Sequence, residues 1–443
     1  MRTLFEGVGY LFNFNGEVMI NKFMSVFVVA AILIGASFVS TQAATTIWSV
    51  DGRTIKVNGD PIIVKGVNYS PAPIGANTAW TPFGDYFIPT WHKIWERDFP
   101  ALRKMGANSI RLYFMYPYVK NNDFSNGAVA DHSGFLDAAY NKGAEPVYVF
   151  VAYPITNVLF RYKQVDTIPT NGIWYYQESE HGKIWVVDEA YDADIAAPRR
   201  ANQKSEYLTL VKQLADNPAV MGFVVSNEAN NGIARNHPAF WKWLDDLGSD
   251  IKNVAPGKLT TIALVDDSME SVTLAEKLNN KMPNIDIWGI NSYRGTVSRG
   301  FDVLFSSFAA TSSKALLVTE FGCPASGRSG GAIVELPNNA KAQADYLKVH
   351  WNDIAANQNI SAGGYVFEWS DEWWKDGNPA AHDAASATNS AFPGGYGDEE
   401  WFGINSIAVN NRPANDPWNP GQPNDPDLLG SRAVYDTLAD LWK

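Results

Sequence analysis

The chain has only one cysteine, Cys323, so an intramolecular disulfide is excluded and the fold must be stable without one. Its six histidines, at positions 92, 132, 181, 237, 350 and 382, show no His-x-His or His-Glu-x-x-His spacing. A metal-dependent hydrolase would therefore lack its usual ligands. Glycine-rich loops of the Walker or dinucleotide-binding type are absent as well. We therefore expect no metal and no cofactor.

Positive charge is also scarce. The chain has 35 Lys and Arg against 47 Asp and Glu, a net charge of −12, and no cluster of basic residues. Phosphate backbones require such clusters, so we expect no nucleic-acid partner. Hydrophobic residues make up 46% of the chain and charged residues 19%, which is typical of a globular protein with a large core. We expect a monomer.

One hydrophobic run lies near the start of the chain, the uncharged segment 23–39, which follows Lys22 and precedes Ser-Thr-Gln-Ala-Ala. This pattern predicts a secretory signal cleaved near Ala43 or Ala44, so residues 1–44 are assigned as a leader and 45–443 as a single catalytic domain. The alternative is an uncleaved membrane anchor. If translation started at Met19 instead of Met1, the leader would be a more usual secretory signal. In each case we expect a secreted, periplasmic or cell-surface protein.

Aromatic residues are abundant, with 16 Trp, 19 Tyr and 23 Phe. Most of them fit a large core, but Trp and Tyr outside strands and helices can provide platforms that stack on sugar rings. The residues that meet this condition are Trp80, Trp91, Trp174, Tyr175, Tyr176, Trp373, Trp374, Trp401 and Trp418.

From residue 62 onward, strand-like and helix-like segments alternate. Strands are predicted at 62–68, 107–113, 146–152, 219–226, 259–264, 285–291, 315–320 and 364–369. Helices are predicted at 93–105, 133–142, 204–215, 238–253, 271–278, 301–310, 339–356 and 430–441. Eight such pairs predict an α/β fold, a (β/α)8 TIM barrel. Before it, segments 46–50 and 54–57 flank Asp51-Gly52 and predict a β-hairpin that closes the amino-terminal mouth.

Long insertions interrupt the alternation at 70–90, 154–203 and 370–429. They follow the first, third and eighth strands, so we expect them to rise from the carboxyl face, where the active sites of such barrels lie. The last insertion has an alternative interpretation as a flexible linker. Trp401 and Trp418 favour a packed segment, because a linker has no such burial anchors.

Two glutamates stand at the ends of predicted strands. Glu228 closes the run Gly222-Phe-Val-Val-Ser-Asn-Glu228, and Glu320 closes Ala315-Leu-Leu-Val-Thr-Glu320. The carboxyl ends of buried parallel strands are where barrels carry functional residues. Two acids on that face are the minimum equipment for retaining glycoside hydrolysis. We predict that Glu228 and Glu320 are the catalytic pair.

This arrangement resembles the clan A retaining glycoside hydrolases, a large set of (β/α)8 enzymes that act on β-linked sugars. Asn227-Glu228 after a fourth strand and Glu320 after a seventh carry the resemblance, which covers about residues 60–375. The segments Ile63-Val-Lys-Gly-Val-Asn-Tyr-Ser-Pro and Asn108-Ser-Ile-Arg-Leu-Tyr look most like β-1,3-glucanosyltransferase-type enzymes and the barrel domain of β-galactosidase-like proteins.

The resemblance implies roles for further residues. Arg111 would lie under the nucleophile and keep it ionised, and the hydroxyl of Tyr293 would face it. Asn227 would bind the sugar 2-hydroxyl, and Trp369 would form the floor of the sugar site. The other candidates for substrate contact are Tyr69, Tyr113 and Trp373.

The implied mechanism is double displacement, in which Glu320 attacks the anomeric carbon while Glu228 protonates the departing oxygen. The expected substrate is a β-linked glucan or a related polysaccharide. Three functions stay open: hydrolysis, transfer to an acceptor sugar as in a β-1,3-glucanosyltransferase, and carbohydrate binding by a disabled barrel. A disabled barrel should have lost an acid or one of its supports, whereas all are present. We favour hydrolysis, with transfer close behind.

Overall fold

The structure is a computed structural model that describes residues 45–76, 78, 84–117, 131–155, 160–170, 174–178, 181–375, 377–383, 386, 388–415 and 426–443. The predicted leader at 1–44 lies outside these residues, and so do Trp80 and Trp418. The assignment of 45–443 as a single catalytic domain stays a prediction.

Eight parallel strands form a closed barrel in chain order, with the eighth strand hydrogen-bonded to the first. Their sequences are short apolar runs because both faces of a parallel barrel strand are buried. The strands are β1 (Val64–Asn68), β2 (Ser109–Arg111), β3 (Tyr148–Ala152), β4 (Val220–Asn227), β5 (Leu259–Val265), β6 (Ile287–Asn291), β7 (Ala315–Phe321) and β8 (Ser361–Val366). The predicted (β/α)8 barrel is confirmed.

Helices alternate with these strands and pack around the barrel. They are α1 (His92–Met105), α2 (Ser133–Tyr140), α3 (Ala197–Leu214), α4 (Pro238–Val254), α5 (Glu270–Leu278), α6 (Leu304–Thr311), α7 (Pro337–Ala356) and α8 (Ala433–Trp442). In α4, Phe240, Leu244, Leu247 and Ile251 recur at helical spacing and are fully buried, which is how such a helix covers a barrel. None of the helices in the described ranges has the length and apolar character that a bilayer crossing requires.

Helix α3 begins earlier than predicted, at Ala197 instead of residue 204. Its first turns read Pro198-Arg-Arg-Ala-Asn-Gln, a polar stretch without the apolar periodicity that marks a packed helix. Proline at the start of a helix was the available signal, because its fixed φ and missing N–H suit the first turn. Short helical turns lie at Pro89–Trp91, Asn141–Gly143, Glu189–Tyr191, Asp192–Ala196, Ile233–Asn236 and Glu399–Trp401.

The amino-terminal mouth is closed by a three-stranded antiparallel sheet, Trp48–Asp51, Thr54–Val57 and Asp60–Ile62. Trp48 and Ile55 from this sheet pack in one apolar cluster with residues of the barrel strands. The third strand was missed because residue 62 was assigned to β1. The turn before it, Asn58-Gly59, has two positive φ angles and is a recognised hairpin signal.

Strand β8 is displaced from its predicted position at 364–369. It begins at Ser361, where the small residues Ser-Ala-Gly-Gly gave no β-strand signal. The regular strand ends at Val366, and a cis peptide joins Phe367 to Glu368. The N–H groups of Phe367 and Trp369 still donate to the carbonyls of Phe321 on β7 and Asn68 on β1, whereas the Glu368 N–H donates to the Phe402 carbonyl. The residues after β8 are therefore shared between the barrel and the last insertion.

That insertion folds back onto the barrel. The Ile404 N–H donates to the Glu368 carbonyl at 2.7 Å, and the Asn405 N–H donates to the Trp369 carbonyl at 3.1 Å. Phe402 and Ile404 are buried. The described part of 370–429 is therefore a packed segment of the fold, and its interpretation as a linker is wrong there.

The loops at the carboxyl face contain small antiparallel sheets. After β3, Tyr162–Val165, Ile184–Val187 and Tyr175–Gln177 form a three-stranded sheet with Ile184–Val187 in its centre. Asn405–Ala408 pairs with Leu428–Ser431 after β8, and Ser326–Ser329 pairs with Ala332–Glu335 after β7. The hairpin after β7 was not predicted, because its first strand, Ser-Gly-Arg-Ser, has no apolar alternation.

Close packing inside the barrel can be tested at Gly66 on β1. A Cβ atom at this position would lie 2.3 Å from Cδ1 of Tyr365, whose ring is fully buried and whose hydroxyl lies 2.9 Å from the Ser109 hydroxyl. We expect Gly66→Ala to lower the free energy of unfolding by about 1–3 kcal/mol, as overpacking does. Urea unfolding measures the change.

The control for this variant is Gly257→Ala. A Cβ atom at Gly257 meets only the Ile47 Cα, at 4.0 Å, so its unfolding midpoint should stay close to that of the wild type. Equal midpoints for the two variants would contradict the packing described for the barrel interior.

Candidate active site

Glu320 is the penultimate residue of β7, and it is 5% exposed. Its carbonyl oxygen accepts a hydrogen bond from the Ser292 N–H at 2.8 Å, just beyond β6. This hydrogen bond fixes the end of β7 against the end of β6. A carboxylate in so buried a position requires partners from the protein, because burial removes its solvation by water.

Three donors supply these partners. The guanidinium of Arg111 donates to Oε1 of Glu320 at 2.9 Å, and the hydroxyl of Tyr113 donates to the same oxygen at 2.7 Å. The hydroxyl of Tyr293 donates to Oε2 at 2.8 Å. Burial, and then the charge of Glu320, raise the pKa of both phenols well above the ordinary value, so they remain donors. Glu320 is therefore held as an oriented carboxylate.

Arg111 connects Glu320 to other strands. Its side chain is fully buried at the end of β2 and lies over the ring of Tyr113. It also donates to Oδ1 of Asn68 at 3.2 Å and to Oδ1 of Asn227 at 2.5 Å. Burial works to lower its pKa, but the neighbouring Tyr113 and Glu320 raise it overall. The guanidinium therefore carries a permanent charge at the centre of the site.

Glu228 is the first residue beyond β4, and its backbone has a φ of 50°. This left-handed conformation is uncommon for a residue with a side chain and is typical of functional sites. The Glu228 N–H donates to the Ala263 carbonyl at 2.7 Å, which holds the turn in place against β5. The turn places the carboxyl group in the cavity that Glu320 also lines.

Asn291, the last residue of β6, orients Glu228. Its amide donates to Oε1 of Glu228 at 2.8 Å and to Oδ1 of Asn227 at 3.2 Å, while its own oxygen accepts from the Thr319 hydroxyl at 2.7 Å. Burial, and then the charge of Glu320, raise the pKa of Glu228 above its usual value. Glu228 therefore favours the protonated form more than a free glutamate does.

A cavity of about 550 Å³ opens above these groups at the carboxyl face of the barrel. Of the predicted residues, Tyr113, Asn227, Glu228, Tyr293 and Glu320 line it. Arg111 lies beneath, in contact with Glu320. The remaining lining residues are Ser70, Phe114, Phe367, Glu372, Trp374, Lys375, Asn389, Phe392, Gly397, Glu399 and Phe402.

Three predicted substrate contacts do not line the cavity. Tyr69 points away from it, because the next position along β1 from Asn68 faces the opposite side; its hydroxyl donates to Asp98 at 2.8 Å. Trp369 lies beyond the displaced end of β8 and is only 1% exposed. Trp373 stacks on His382 instead. These three assignments are corrected.

Sequence reasoning missed several residues of the site. Asn291 is a polar residue at the end of an apolar strand, and the same pattern led to the prediction of Glu228. Trp374, one of the candidate sugar-stacking aromatics, lines the cavity in place of its neighbour Trp373, which had been chosen as the substrate contact. Phe367 lines the cavity where Trp369 was expected. The local sequence does not decide between these neighbours, because the choice depends on the path of the chain after β8.

Lys375 lies at the edge of the cavity among acids. Its ammonium group is 3.3 Å from Glu372 and 3.5 Å from Glu399, and it lies 5.2 Å from the centre of the Phe367 ring. Burial opposes the charged form, but the neighbouring acids, Glu372 first among them, raise the pKa of Lys375 overall. The ammonium group is one of the charges that partly offset the raised pKa of Glu228.

The described residues include no group of three or more His, Cys, Asp or Glu side chains that could hold a metal ion. The chemistry that this arrangement can perform uses its two carboxyl groups. One is oriented by hydrogen bonds from three donors, and the other is an acid with a raised pKa beside it. Such a pair can deliver a nucleophile and a proton to the same bond.

No protein-family model matches the sequence, and no curated protein matches it. Solved structures do match this chain. A GH2 β-galacturonidase from Eisenbergiella tayi bound to galacturonate has a TM-score of 0.52 at 12% identity, over 90% of this chain and 54% of its own. The Bacteroides uniformis β-glucuronidase has a TM-score of 0.52 at 14% identity, over 90% of this chain and 37% of its own. The chain spans about half of their length or less, and the likeness shows the barrel fold.

The ion pair beneath the cavity can be tested through stability. Arg111→Met leaves the Glu320 carboxylate buried without its counter-charge, so we expect the free energy of unfolding to fall by about 3–5 kcal/mol. The double variant Arg111→Met/Glu320→Gln removes both charges and should recover much of that loss. Urea unfolding of the three proteins measures the effect. A double variant no more stable than Arg111→Met would show that the pair is not coupled as described.

Proposed function

We propose that the protein is a retaining β-glycoside hydrolase that acts on a β-linked glucan or a related polysaccharide. The observation that carries this proposal is the inequality of two carboxyl groups in one cavity. Glu320 has a donor at each oxygen and a guanidinium counter-charge, whereas the Glu228 carboxyl accepts, within the part of the chain that the structure describes, one amide hydrogen bond and has a raised pKa. Retaining hydrolysis needs one acid of each kind.

Glu320 is proposed as the nucleophile. Its hydrogen bonds to Arg111, Tyr113 and Tyr293 hold it in a single orientation, so that little reorganisation precedes attack on the anomeric carbon. Attack forms a bond from a Glu320 oxygen to that carbon and breaks the bond to the departing glycosidic oxygen. The product of this step is a covalent glycosyl-enzyme.

Glu228 is proposed as the acid and then the base. It first gives its proton to the departing oxygen, which leaves as a sugar hydroxyl. Once Glu320 is esterified, its negative charge is gone, and the contribution of that charge to the raised pKa of Glu228 disappears. Glu228 is then better suited to take a proton from the water that attacks the anomeric carbon.

Asn227 is proposed to bind the sugar beside the reacting carbon. Its Oδ1 accepts from both Arg111 and Asn291, which fixes the amide. Its amide N–H2 has no partner among the described residues, and the residue lines the cavity. The free amide can therefore donate to a sugar hydroxyl, and a hydrogen bond to the 2-hydroxyl that strengthens in the transition state supports catalysis.

A neutral sugar suits the cavity better than a uronic acid. The acids Glu372 and Glu399 line the cavity together with the catalytic pair. Among the described residues, Lys375 is the cation in the lining, and it forms ion pairs with both Glu372 and Glu399. A substrate carboxylate would meet these charges without a free counter-ion. Phe367, Trp374, Phe392 and Phe402 offer apolar faces for sugar rings instead. These features support a glucan.

Transfer of the glycosyl unit to an acceptor sugar, as in a β-1,3-glucanosyltransferase, would use the same two acids. It differs only in whether water or a sugar hydroxyl captures the glycosyl-enzyme. The wall of aromatic side chains around the cavity favours bound sugars and is compatible with both outcomes. The lengths of the products formed from laminari-oligosaccharides separate the two reactions, since chains longer than the substrate appear only with transfer.

Export of the protein is also proposed, from the basic, apolar and small-residue pattern of 1–44. An extracellular polysaccharide is accessible only to an exported enzyme. The amino-terminal sequence of protein recovered outside the cytoplasm measures this directly, and protein retained in the cytoplasm with residue 1 intact would contradict it.

Replacing each acid by Gln separates their roles. Glu320→Gln should be inactive on every substrate. Glu228→Gln should lose about 10²–10⁴-fold in rate on an oligosaccharide but much less on a 2,4-dinitrophenyl glycoside, whose departing group needs no proton. Azide should restore turnover to Glu228→Gln and yield the β-glycosyl azide. The assay is product formation followed by chromatography and NMR.

The matched control is Glu96→Gln, at an exposed ion pair with His92, which should keep wild-type activity. Full activity of Glu320→Gln, or an α-glycosyl azide from Glu228→Gln, would contradict the proposed roles.

The pH dependence follows from the state of Glu228, which must be protonated for the first step. Activity is therefore lost as the pH rises through its pKa. Lys375 is among the charges that lower this pKa, so Lys375→Met should raise it and move the alkaline limb of kcat/KM to higher pH. Lys341→Met, at an exposed pair with Asp345, should leave the limb in place. A limb that stays fixed or moves to lower pH in Lys375→Met would contradict this assignment.

A further inference from the structure

Two further depressions follow the catalytic cavity along the carboxyl ends of β6, β5 and β4. A second depression of about 430 Å³ shares Tyr293 with the catalytic cavity and is lined by Asn291 and Val265 as well. A third, of about 310 Å³, shares Val265 with the second and is lined by Tyr176 and Asn231. Each depression therefore adjoins the next through a shared residue, and we call the three together the β4–β6 groove.

The far end of the β4–β6 groove presents groups that are free to bind a ligand. Tyr176 is half-buried, and its ring and hydroxyl have no side-chain partner among the described residues. Asn231 is exposed and Asn236 half-buried, and neither side-chain amide is hydrogen-bonded within the described chain. An aromatic face with amide donors and acceptors matches the apolar ring face and the hydroxyls of a neutral sugar.

The wall behind these groups is held rigidly. Arg235 donates to Asp267 at 2.9 Å and to Glu270 at 2.7 Å, so its charge is compensated within the protein. Asn230 donates to the Val265 carbonyl at 3.2 Å and to the Ser271 hydroxyl at 3.0 Å. A wall fixed in this way loses little conformational entropy when a ligand binds.

The chemistry of the reaction gives the groove a direction. Glu228 protonates the oxygen that departs, so the departing part of the substrate lies on the Glu228 side. The Asn231 N–H donates to the Glu228 carbonyl at 3.1 Å, and residues 229–236 continue from Glu228 into the far depression. A polymer cleaved beside Glu228 would therefore leave its departing chain in this groove.

We propose that the depression lined by Tyr176, Asn231 and Asn236 is a remote subsite for the leaving-group or acceptor portion of a β-glucan chain. The inference rests on the proposed function and extends it, because a subsite beyond the departing unit means that the protein binds substrate chains longer than a disaccharide. Tyr176 stacks on a sugar ring of the departing chain, and the two amides bind its hydroxyls.

The test is the dependence of kcat/KM on substrate length, measured with the full chain on laminari-oligosaccharides from the disaccharide to the heptasaccharide. Tyr176→Ala should lower kcat/KM about tenfold on the heptasaccharide and leave the disaccharide unchanged, since a lost aromatic stack is of that size. Tyr176→Phe should keep the wild-type length dependence. The matched control is Tyr175→Ala, which removes a neighbouring ring that is 40% exposed and does not line the groove.

The outcomes separate this inference from the proposed function. If the wild type cleaves the series and Tyr176→Ala changes no substrate, or all of them equally, the subsite is wrong and the proposed function stands. If the wild type cleaves nothing, the proposed function is wrong. Calorimetric titration of the heptasaccharide then decides the subsite by itself: weaker binding by Tyr176→Ala than by Tyr175→Ala supports the contact, and equal binding overturns it.

Discussion

The buried ion pair of Arg111 and Glu320 is the interaction on which the site depends. Both side chains lie in the barrel with almost no exposure, so each charge requires the other. The guanidinium also binds Asn68 and Asn227, and it thereby joins β1, β2, β4 and β7 at one point. A single compensated charge thus orients the catalytic carboxylate and the amide beside it.

The same pair makes the two acids unequal. Glu320 keeps its counter-charge, whereas Glu228 is partly buried beside a negative group and is held by an amide from Asn291. One electrostatic coupling therefore serves both halves of a double displacement. The charge of Glu320 favours the acid form of Glu228 before the first step, and its loss on ester formation favours the base form afterwards.

The local sequence pattern was enough to locate the strands that are buried on both faces. The runs ending near Glu228 and Glu320 are long, apolar and β-branched, so β4 and β7 were placed within a residue or two of their observed bounds. Arg111 and Tyr293 were then found through the resemblance that these strands carry. Side chains at strand ends are constrained by the barrel itself, which explains why they could be predicted.

Contacts that depend on the path of an insertion could not be predicted in this way. Trp369 was assigned to the sugar site through the resemblance of the segment that ends with it, but the regular strand ends at Val366 and Phe367 lines the cavity. Lys375 approaches Glu372 and Glu399 through a fold of the last insertion that no local periodicity encodes.

The central claim is that Glu320 forms a covalent glycosyl-enzyme, and mass spectrometry of protein treated with a 2-deoxy-2-fluoro-β-laminaribiosyl fluoride tests it most directly. The account predicts one added glycosyl group, on the peptide that contains Glu320; a label on Glu228, or turnover of β-glucan with no label anywhere, would contradict it.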